Sequence, residues 1–159
     1  MARKDITMTD AEIQQFLSEG RKILQLATLG KDGAPHLAPM WYAVDDGRIV
    51  FRSFTKSQKI VNLARDPRLS VLVEEGDAYS ELRGVMIRGT ASLVTDPDYV
   101  LALYGRLSAR YPMVGSEPVS LSDDELRETF GGHATKNTAV IVEPHTVASW
   151  DHTKLGGQY

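Results

Sequence analysis

The first third of the chain alternates short strand-like segments with tight turns, and this pattern most constrains the fold. Residues 22–29, 35–44 and 48–53 are rich in the apolar and β-branched residues that strands favour. The connections at 30–33 and 45–47 are short and contain glycine, which adopts the backbone angles that tight turns need. Strands joined by such turns pair antiparallel, so the pattern predicts a β-meander.

The rest of the chain adds three strands with helices between them. Apolar alternation indicates strands over 68–75, 83–94 and 137–143. Helices are predicted over 9–19, 57–65, 97–110 and 122–130. No strand is followed by Gly-x-Gly-x-x-Gly, which argues against a parallel dinucleotide-binding sheet. The sequence therefore predicts a mainly β, α+β fold, a six-stranded antiparallel barrel with peripheral helices.

Composition excludes several classes of protein and site. The 159 residues carry a net charge of −3 and no cysteine, which excludes disulfides and thiolate chemistry and indicates no nucleic-acid partner. The four histidines show no helical ligand spacing, so we expect no metal site. No segment approaches the roughly 18 apolar residues of a membrane span, and no signal peptide is evident. We therefore expect one cytoplasmic domain over residues 1–159.

A hydroxyl-rich, basic segment at residues 51–59 carries the strongest indication of a ligand. It lies where the third strand gives way to a helix, and free backbone amides at a helix N-terminus favour an anion. Hydroxyls and cations together suit a phosphate dianion. An alternative is simple helix capping, in which Thr55 and Gln58 form a capping box and the lysines are only solvated. The candidate ligand-binding residues are Arg52, Ser53, Thr55, Lys56, Ser57, Gln58 and Lys59.

The second predicted strand carries large side chains on both faces and a proline at position 39. Proline has no amide to give to a sheet, so it marks an edge, a bulge or a backbone opened toward another group. One face would then meet the core and the other a flat ligand or a second subunit; the alternative is an ordinary core strand with an edge proline. Arg88, before Gly89, is expected either at a subunit seam beside a cofactor anion or in an exposed salt bridge.

The run FRSFTKSQKIVNLARDPRLSVLV, residues 51–73, resembles the cofactor segment of the pyridoxamine-phosphate oxidase-like flavoproteins. Both have a strand, a Ser/Thr residue, Ser-x-Lys, a helix, Asn-Leu, Asp/Asn-Pro-Arg-x-Ser and a further strand. The later run IRGTASLV, residues 87–94, also looks familial. The terminal residues SWDH and KLGG, at 149–152 and 154–157, are similar to the actinobacterial-type branch that uses the deazaflavin coenzyme F420. The resemblance spans residues 10–157.

This resemblance implies a split β-barrel that forms an obligate homodimer, with two cofactors in symmetric grooves between the protomers. Matched residue by residue, Ser57 and Lys59 correspond to the phosphate-binding Ser-x-Lys of the family. Ser53 corresponds to the hydroxyl residue at the end of the third strand. The resemblance therefore implies that the segment binds the phosphate of a flavin or deazaflavin.

The resemblance also implies which residues lie near the cofactor's rings. Met40 and Trp41 fall on the strand that runs along the ring system. Trp150 matches the late tryptophan that reaches the partner's cofactor, and the tail over 144–159 would contribute to the dimer seam.

Two departures argue against pyridoxamine-phosphate oxidation itself. Gln58 stands where true oxidases have the arginine of Ser-Arg-Lys, and the terminal Arg-x-His element is missing. We therefore expect an F420-dependent reductase that transfers a hydride to a small planar unsaturated acceptor. The alternatives are an FMN-dependent oxidoreductase of the same family and a non-enzymatic module that binds the cofactor or haem.

Two finer assignments complete the expectations. Arg3, Lys4 and Lys31 are candidate partners of the polyglutamate tail of F420. Solvent, Tyr42 or His152 would protonate the product, and the sequence does not choose among them.

Overall fold

The computed structural model describes residues 5–157, which contain seven strands and four α-helices. The strands are β1 (Leu24–Leu29), β2 (Pro35–Met40), β3 (Ala43–Asp45), β4 (Arg48–Phe54), β5 (Arg68–Glu75), β6 (Arg83–Val94) and β7 (Asn137–Asp151). The helices are α1 (Asp10–Ser18), α2 (Gln58–Arg65), α3 (Pro97–Arg110) and α4 (Asp123–Ala134), with short 3-10 turns at Tyr79–Glu81 and His152–Leu155. None of these helices is long and apolar enough to cross a membrane.

The seven strands form one antiparallel sheet in the order β2-β1-β5-β6-β7-β4-β3. The consecutive strands β2 and β3 therefore occupy opposite edges, although only Trp41 and Tyr42 separate them in sequence. Because a link of two residues reaches only about 10 Å, the sheet must curl until its edges approach each other. The predicted mainly β, α+β split barrel with peripheral helices is confirmed.

The prediction of six strands was wrong by one, because the segment over 35–44 is two strands. At the break, the Tyr42 amide donates to the Tyr111 hydroxyl at 3.5 Å instead of to a neighbouring strand. Pro39 lies on the edge strand β2, where the sheet does not require an amide hydrogen at that position.

Strand β7 is longer than predicted and contains half of the expected tail. It pairs with β6 as far as Asp151, and a register shift between Arg88 and Gly89 bends the pair. A side chain at position 89 would overlap the Glu143 carbonyl oxygen, so this bulge requires glycine. Residues 144–151 are therefore sheet and not a separate tail.

Two apolar clusters hold the helices against the sheet. The first fills the barrel and includes Phe16 of α1 and Leu63 of α2. The second packs α3, through Leu107, against the other face of the sheet. The neighbours Val50 and Phe51 of β4 belong to different clusters, as alternation along a strand requires. Burial of each such side chain contributes roughly 1.5–3 kcal/mol.

A buried polar contact fixes α2 on the barrel. Asn62 is fully buried, and its Nδ2 donates to Thr28 Oγ1 of β1 at 3.0 Å. Its Oδ1 accepts hydrogen bonds from Gln58 Nε2 at 2.8 Å and Arg65 Nη2 at 3.2 Å. This anchor holds the N-terminus of α2 beside the end of β4.

Candidate functional site

Helix α2 begins without a side-chain cap. Ser57 is its N-cap residue, but the Ser57 Oγ lies 3.0 Å from the Ser53 Oγ and caps no amide. The capping box considered from the sequence does not form, because Thr55 Oγ1 pairs with Thr138 Oγ1 at 2.9 Å and Gln58 bonds within α2. The first turn of α2 therefore keeps its amides available to an external acceptor.

Arg52 is a half-buried cation without a carboxylate partner among the described residues. Its Nη1 donates to Asn137 Oδ1 at 3.0 Å, and its guanidinium carbon lies 4.1 Å from the centroid of the Tyr104 ring. Its Nε is buried and has no hydrogen-bond partner. Burial lowers the pKa of Arg52, and no carboxylate of the described residues contacts it. A buried, unpaired charge of this kind is unfavourable unless an anion joins it.

A cavity of about 280 Å³ brings five of the predicted residues together. No carboxylate lines this cavity, so its charged groups are all cations. Its lining residues are Pro39, Met40, Trp41, Arg52, Ser53, Phe54, Lys59 and Leu107. We call Arg52, Ser53, Ser57 and Lys59 the Arg52 cluster. The cluster combines two cations with two hydroxyls at a helix N-terminus, which suits a phosphate ester.

One wall of this cavity is aromatic. The Trp41 indole stacks on the Tyr111 ring, with centroids 4.9 Å apart and planes 11° apart. Trp41 is 37% exposed, whereas Tyr111 is 1% exposed, so the tyrosine supports the indole from the interior. A supported flat surface beside two cations can hold a planar anion such as a flavin phosphate.

A larger cavity, about 610 Å³, lies elsewhere and shares no lining residue with the smaller one. Arg88 lines it, and the Arg88 Nε donates to Thr146 Oγ1 at 3.3 Å. No carboxylate of the described chain pairs with Arg88, so the expected salt-bridge alternative does not form there. We place the candidate site at the smaller cavity, because only there do the phosphate-type residues converge.

Trp150 also lies outside this cavity within one protomer. It is paired with Gly84 across β6 and β7, and its indole covers the position that a Cβ of residue 84 would occupy. Glycine at 84 thus lets the indole lie on the sheet. The structure therefore divides the predicted residues between the cavity and the β6–β7 surface.

Sequence reasoning missed the residues that hold Arg52 and Trp41 in place. Tyr104 is buried in the core, and its ring also contacts the Arg52 guanidinium. Asn137 and Tyr111 come from distant segments, and no local pattern marks them. A basic residue inside an otherwise apolar strand was the one available signal.

The structure places some of the candidate proton donors and tail-binding residues and leaves others outside the described residues. Tyr42 is fully buried, its hydroxyl donates to the Leu17 carbonyl at 2.8 Å, and burial raises its pKa to about 12, so it is a poor proton donor to the cavity. His152 Nδ1 lies 2.7 Å from the Tyr79 carbonyl oxygen. Arg3 and Lys4 lie outside the described residues. Within residues 5–157, no three His, Asp or Glu side chains gather as a metal site.

Residues 9–150 match the family model described as pyridoxamine 5'-phosphate oxidase. The chain belongs to this family. It is 32% identical over 89 residues to a 5a,11a-dehydrotetracycline/5a,11a-dehydrooxytetracycline reductase from Streptomyces rimosus. That match covers 52% of this chain and 61% of the relative, so the chain spans less than two thirds of that relative's length.

Two solved structures are similar to this chain along most of its length. A conserved hypothetical protein from Mycobacterium tuberculosis is 40% identical with a TM-score of 0.86, over 100% of this chain and 94% of that one. A protein described as an F420 reductase is 27% identical with a TM-score of 0.63, over 84% of this chain and 94% of that one. The split-barrel architecture is therefore shared with proteins of related sequence.

Proposed function

We propose that this chain is an F420-dependent oxidoreductase that transfers a hydride to a small planar unsaturated acceptor. The observation that carries the proposal is the Arg52 cluster, in which two half-buried cations line a cavity that no carboxylate lines. Family membership and the reductases among the relatives support an oxidoreductase of the pyridoxamine-phosphate oxidase-like type.

The residues present fit a phosphate ester. Arg52 lines the cavity, and no carboxylate of the described residues neutralises its guanidinium, so a phosphate in the cavity would supply the missing negative charge. Lys59 lies on the first turn of α2 and lines the same cavity, so its ammonium would neutralise a second charge. The Ser53 and Ser57 hydroxyls are already paired, and either one can turn to donate to a phosphate.

The planar end of the cofactor is assigned to the Trp41 wall. Trp41 and Met40 would lie along the rings, and the tricyclic system would extend toward the open side of the cavity. We further propose that a second copy of the chain covers that side and presents its own Trp150 to the rings, as the family resemblance implies. Sedimentation equilibrium tests this arrangement, with a dimer as the expected result and a monomer as the contrary one.

When bound in reduced form, F420 would supply a hydride from its C5 carbon to an electron-poor double bond, and the other carbon would take a proton from solvent or from His152. The protein's part is to bind and orient the two molecules and to exclude water between them. Orientation alone can lower a barrier by roughly 7–11 kcal/mol in favourable cases. Tyr42 is excluded as the proton donor by its burial and by its bond to Leu17.

The choice of F420 over FMN rests on the F420 reductase among the similar structures and on the terminal run at 149–157. The relative named as a dehydrotetracycline reductase supports a planar unsaturated acceptor. The phosphate cluster by itself would serve FMN equally well.

A titration with F420 and with FMN tests the cofactor assignment. We expect F420 to bind more tightly than FMN, and we expect Lys59→Ala to weaken F420 binding by at least about tenfold. Lys56→Ala is the matched control, because Lys56 is exposed in the same loop and does not line the cavity. Equal affinities of the two variants would contradict the site.

Turnover of reduced F420 with quinone, enone and biliverdin acceptors tests the reaction. We expect at least one acceptor to be reduced, with loss of turnover in Lys59→Ala at low cofactor concentration. Tight F420 binding without reduction of any acceptor would favour the binding-module alternative, and tighter FMN binding would favour the flavin enzyme.

A further inference from the structure

The gap between β2 and β3 is closed by a residue from another part of the chain. Tyr111 follows α3 as its C-cap, and its amide donates to the Leu107 carbonyl at 2.7 Å. Its hydroxyl donates to the Lys22 carbonyl at 2.8 Å and accepts from the Tyr42 amide at 3.5 Å. Tyr111 therefore connects α3 to two other segments at the point where the barrel edges meet.

The two-residue connection between β2 and β3, which Tyr111 contacts, also contains Trp41, the aromatic wall of the cavity. Trp41 belongs to no strand, so no sheet hydrogen bonds on either side fix its backbone. Its indole nevertheless has a firm support, because it lies parallel to the buried Tyr111 ring at 4.9 Å. The indole also lines the cavity.

The support is itself held firmly. Arg110, the residue before Tyr111, donates to the carbonyl oxygens of Gly20 at 2.9 Å and Leu17 at 2.9 Å. Its guanidinium carbon also lies 5.4 Å from the centroid of the Tyr111 ring. The Tyr111 ring is therefore fixed by its own hydroxyl, by its helix and by its neighbour.

We propose that Tyr111 is a positioning residue, which holds the Trp41 indole as the flat wall against which the cofactor's rings lie. This inference rests on the proposed function, although the support of the indole can be measured without any cofactor. Tyr111 does not line the cavity, so it would act on the cofactor only through Trp41.

The first experiment follows the indole in the protein without cofactor. The chain has two tryptophans, so Trp150→Phe leaves Trp41 as the single fluorophore. In that background, Tyr111→Leu should shift the Trp41 emission to longer wavelength and increase its quenching by acrylamide at least about twofold, because the stacked ring is gone. Tyr111→Phe keeps the ring and should leave both quantities near their original values. Unchanged emission and quenching in Tyr111→Leu would overturn the proposal.

The second experiment is a double-mutant cycle read as F420 affinity. Tyr111→Leu should weaken binding about fivefold when Trp41 is present and less than about twofold in a Trp41→Leu background. Tyr99→Leu is the matched control, since Tyr99 lies on the same helix and its hydroxyl donates to Asp45 at 3.0 Å, away from Trp41. It should leave the affinity unchanged. An equal loss in both Trp41 backgrounds would show a general structural effect and overturn the proposal.

The remaining outcomes are also decisive. If Tyr111→Leu does not fold, Tyr111→Phe carries the test: affinity within about twofold of the unaltered protein supports the stacked ring as the essential feature. A folded Tyr111→Phe with affinity as weak as Trp41→Leu would overturn it. If the unaltered protein binds neither F420 nor FMN, the proposed function fails, while the fluorescence experiment still decides whether Tyr111 supports Trp41.

Discussion

Two groups of cationic side chains lie against aromatic rings in this barrel, and they differ in their carboxylates. We call the first group, Glu19, Lys22, Glu75 and Arg83, the Glu75 cluster. In this cluster, Lys22 and Arg83 each form an ion pair with both glutamates. In the Arg52 cluster, no carboxylate of the described residues contacts either cation. The sequence gives both groups cations of the same kind, but only the first is neutralised by the protein.

The surroundings of the two clusters are otherwise alike. The Lys22 Nζ lies 4.6 Å from the centroid of the Phe16 ring, and the Arg52 guanidinium carbon lies 4.1 Å from that of Tyr104. Burial lowers the pKa of both Lys22 and Arg52. Contact with a ring and partial burial therefore do not distinguish a ligand site from a structural one. The two clusters differ in the counter-ion, and a charge that the protein leaves without one is stabilised when an external anion joins it.

The largest expected effect comes from removing both cations of the Arg52 cluster. The double variant Arg52→Met/Lys59→Ala should weaken F420 binding by at least about 100-fold, since each charge-assisted bond contributes roughly 1.5–3 kcal/mol. Isothermal titration calorimetry measures the loss. The control, Lys56→Ala/Arg127→Ala, removes the same charge from exposed positions outside the cavity and should bind F420 normally. Equal weakening in the control would mean that F420 responds only to the net charge of the protein and not to the Arg52 cluster.

In the Glu75 cluster, the corresponding change should affect stability and not binding. Lys22 is 6% exposed, and its Nζ donates to the carbonyl oxygens of Phe16 at 2.8 Å and Glu19 at 2.6 Å. Lys22→Met removes this donor from the Phe16 carbonyl and leaves the Glu19 carbonyl only its bond from Arg110 Nη2 at 3.3 Å, so it should lower the free energy of unfolding by about 2 kcal/mol. Urea denaturation measures this change, while F420 affinity should stay within about twofold. Weaker F420 binding with unaltered stability would contradict the structural role of Lys22.

A single substitution of Arg52 should have the opposite effect to Lys22→Met: it should weaken F420 binding without lowering stability. Arg52→Met gives up the bond to Asn137 Oδ1 but also removes a desolvated, unpaired charge and keeps much of the side-chain volume, so the cofactor-free protein should melt at nearly the same temperature or higher. F420 affinity should fall about tenfold. Thermal denaturation and titration of the same sample measure both quantities. A clear loss of stability would mean that Arg52 is structural, like Lys22.

The smallest expected effect concerns the exposed ion pair of Asp66 and Arg68. It shows how little a neutralised pair on the surface contributes compared with the two clusters. Hydrogen bonds from the Arg68 side chain, and then from its backbone, lower the pKa of Asp66 from 3.8 to about 2. A carboxyl whose pKa is lower in the folded state stabilises the protein above its unfolded pKa, and this stabilisation is lost as the pH falls toward 2. Asp66→Asn should therefore flatten the stability profile between about pH 4 and pH 2. Acid titration followed by circular dichroism checks this, and an unaltered profile would contradict it.

The fold and half of the site follow from local sequence patterns. Alternating apolar residues and glycine turns predicted nearly every strand, because they are set by neighbours along the chain. The phosphate-type residues at 52–59 were also predictable, since a strand end, hydroxyls and a helix start lie within one short segment. The contacts of Met40 and Trp41 with the same cavity depended on the family resemblance.

The remaining features depend on contacts between distant residues. The break that makes seven strands from six is fixed by Tyr111, 69 residues after Tyr42, so a continuous apolar run gave no sign of it. The support of Arg52 by Asn137 spans 85 residues. The absence of a counter-ion is likewise a property of the folded chain, because the sequence does not show which carboxylates reach which cations.

A crystal structure of the protein with F420 tests the central claim most directly. The account predicts that the cofactor phosphate lies within hydrogen-bonding distance of the Arg52 guanidinium and the Lys59 ammonium, with its rings along Trp41. A phosphate bound in the larger cavity beside Arg88, or turned away from Arg52, would contradict it.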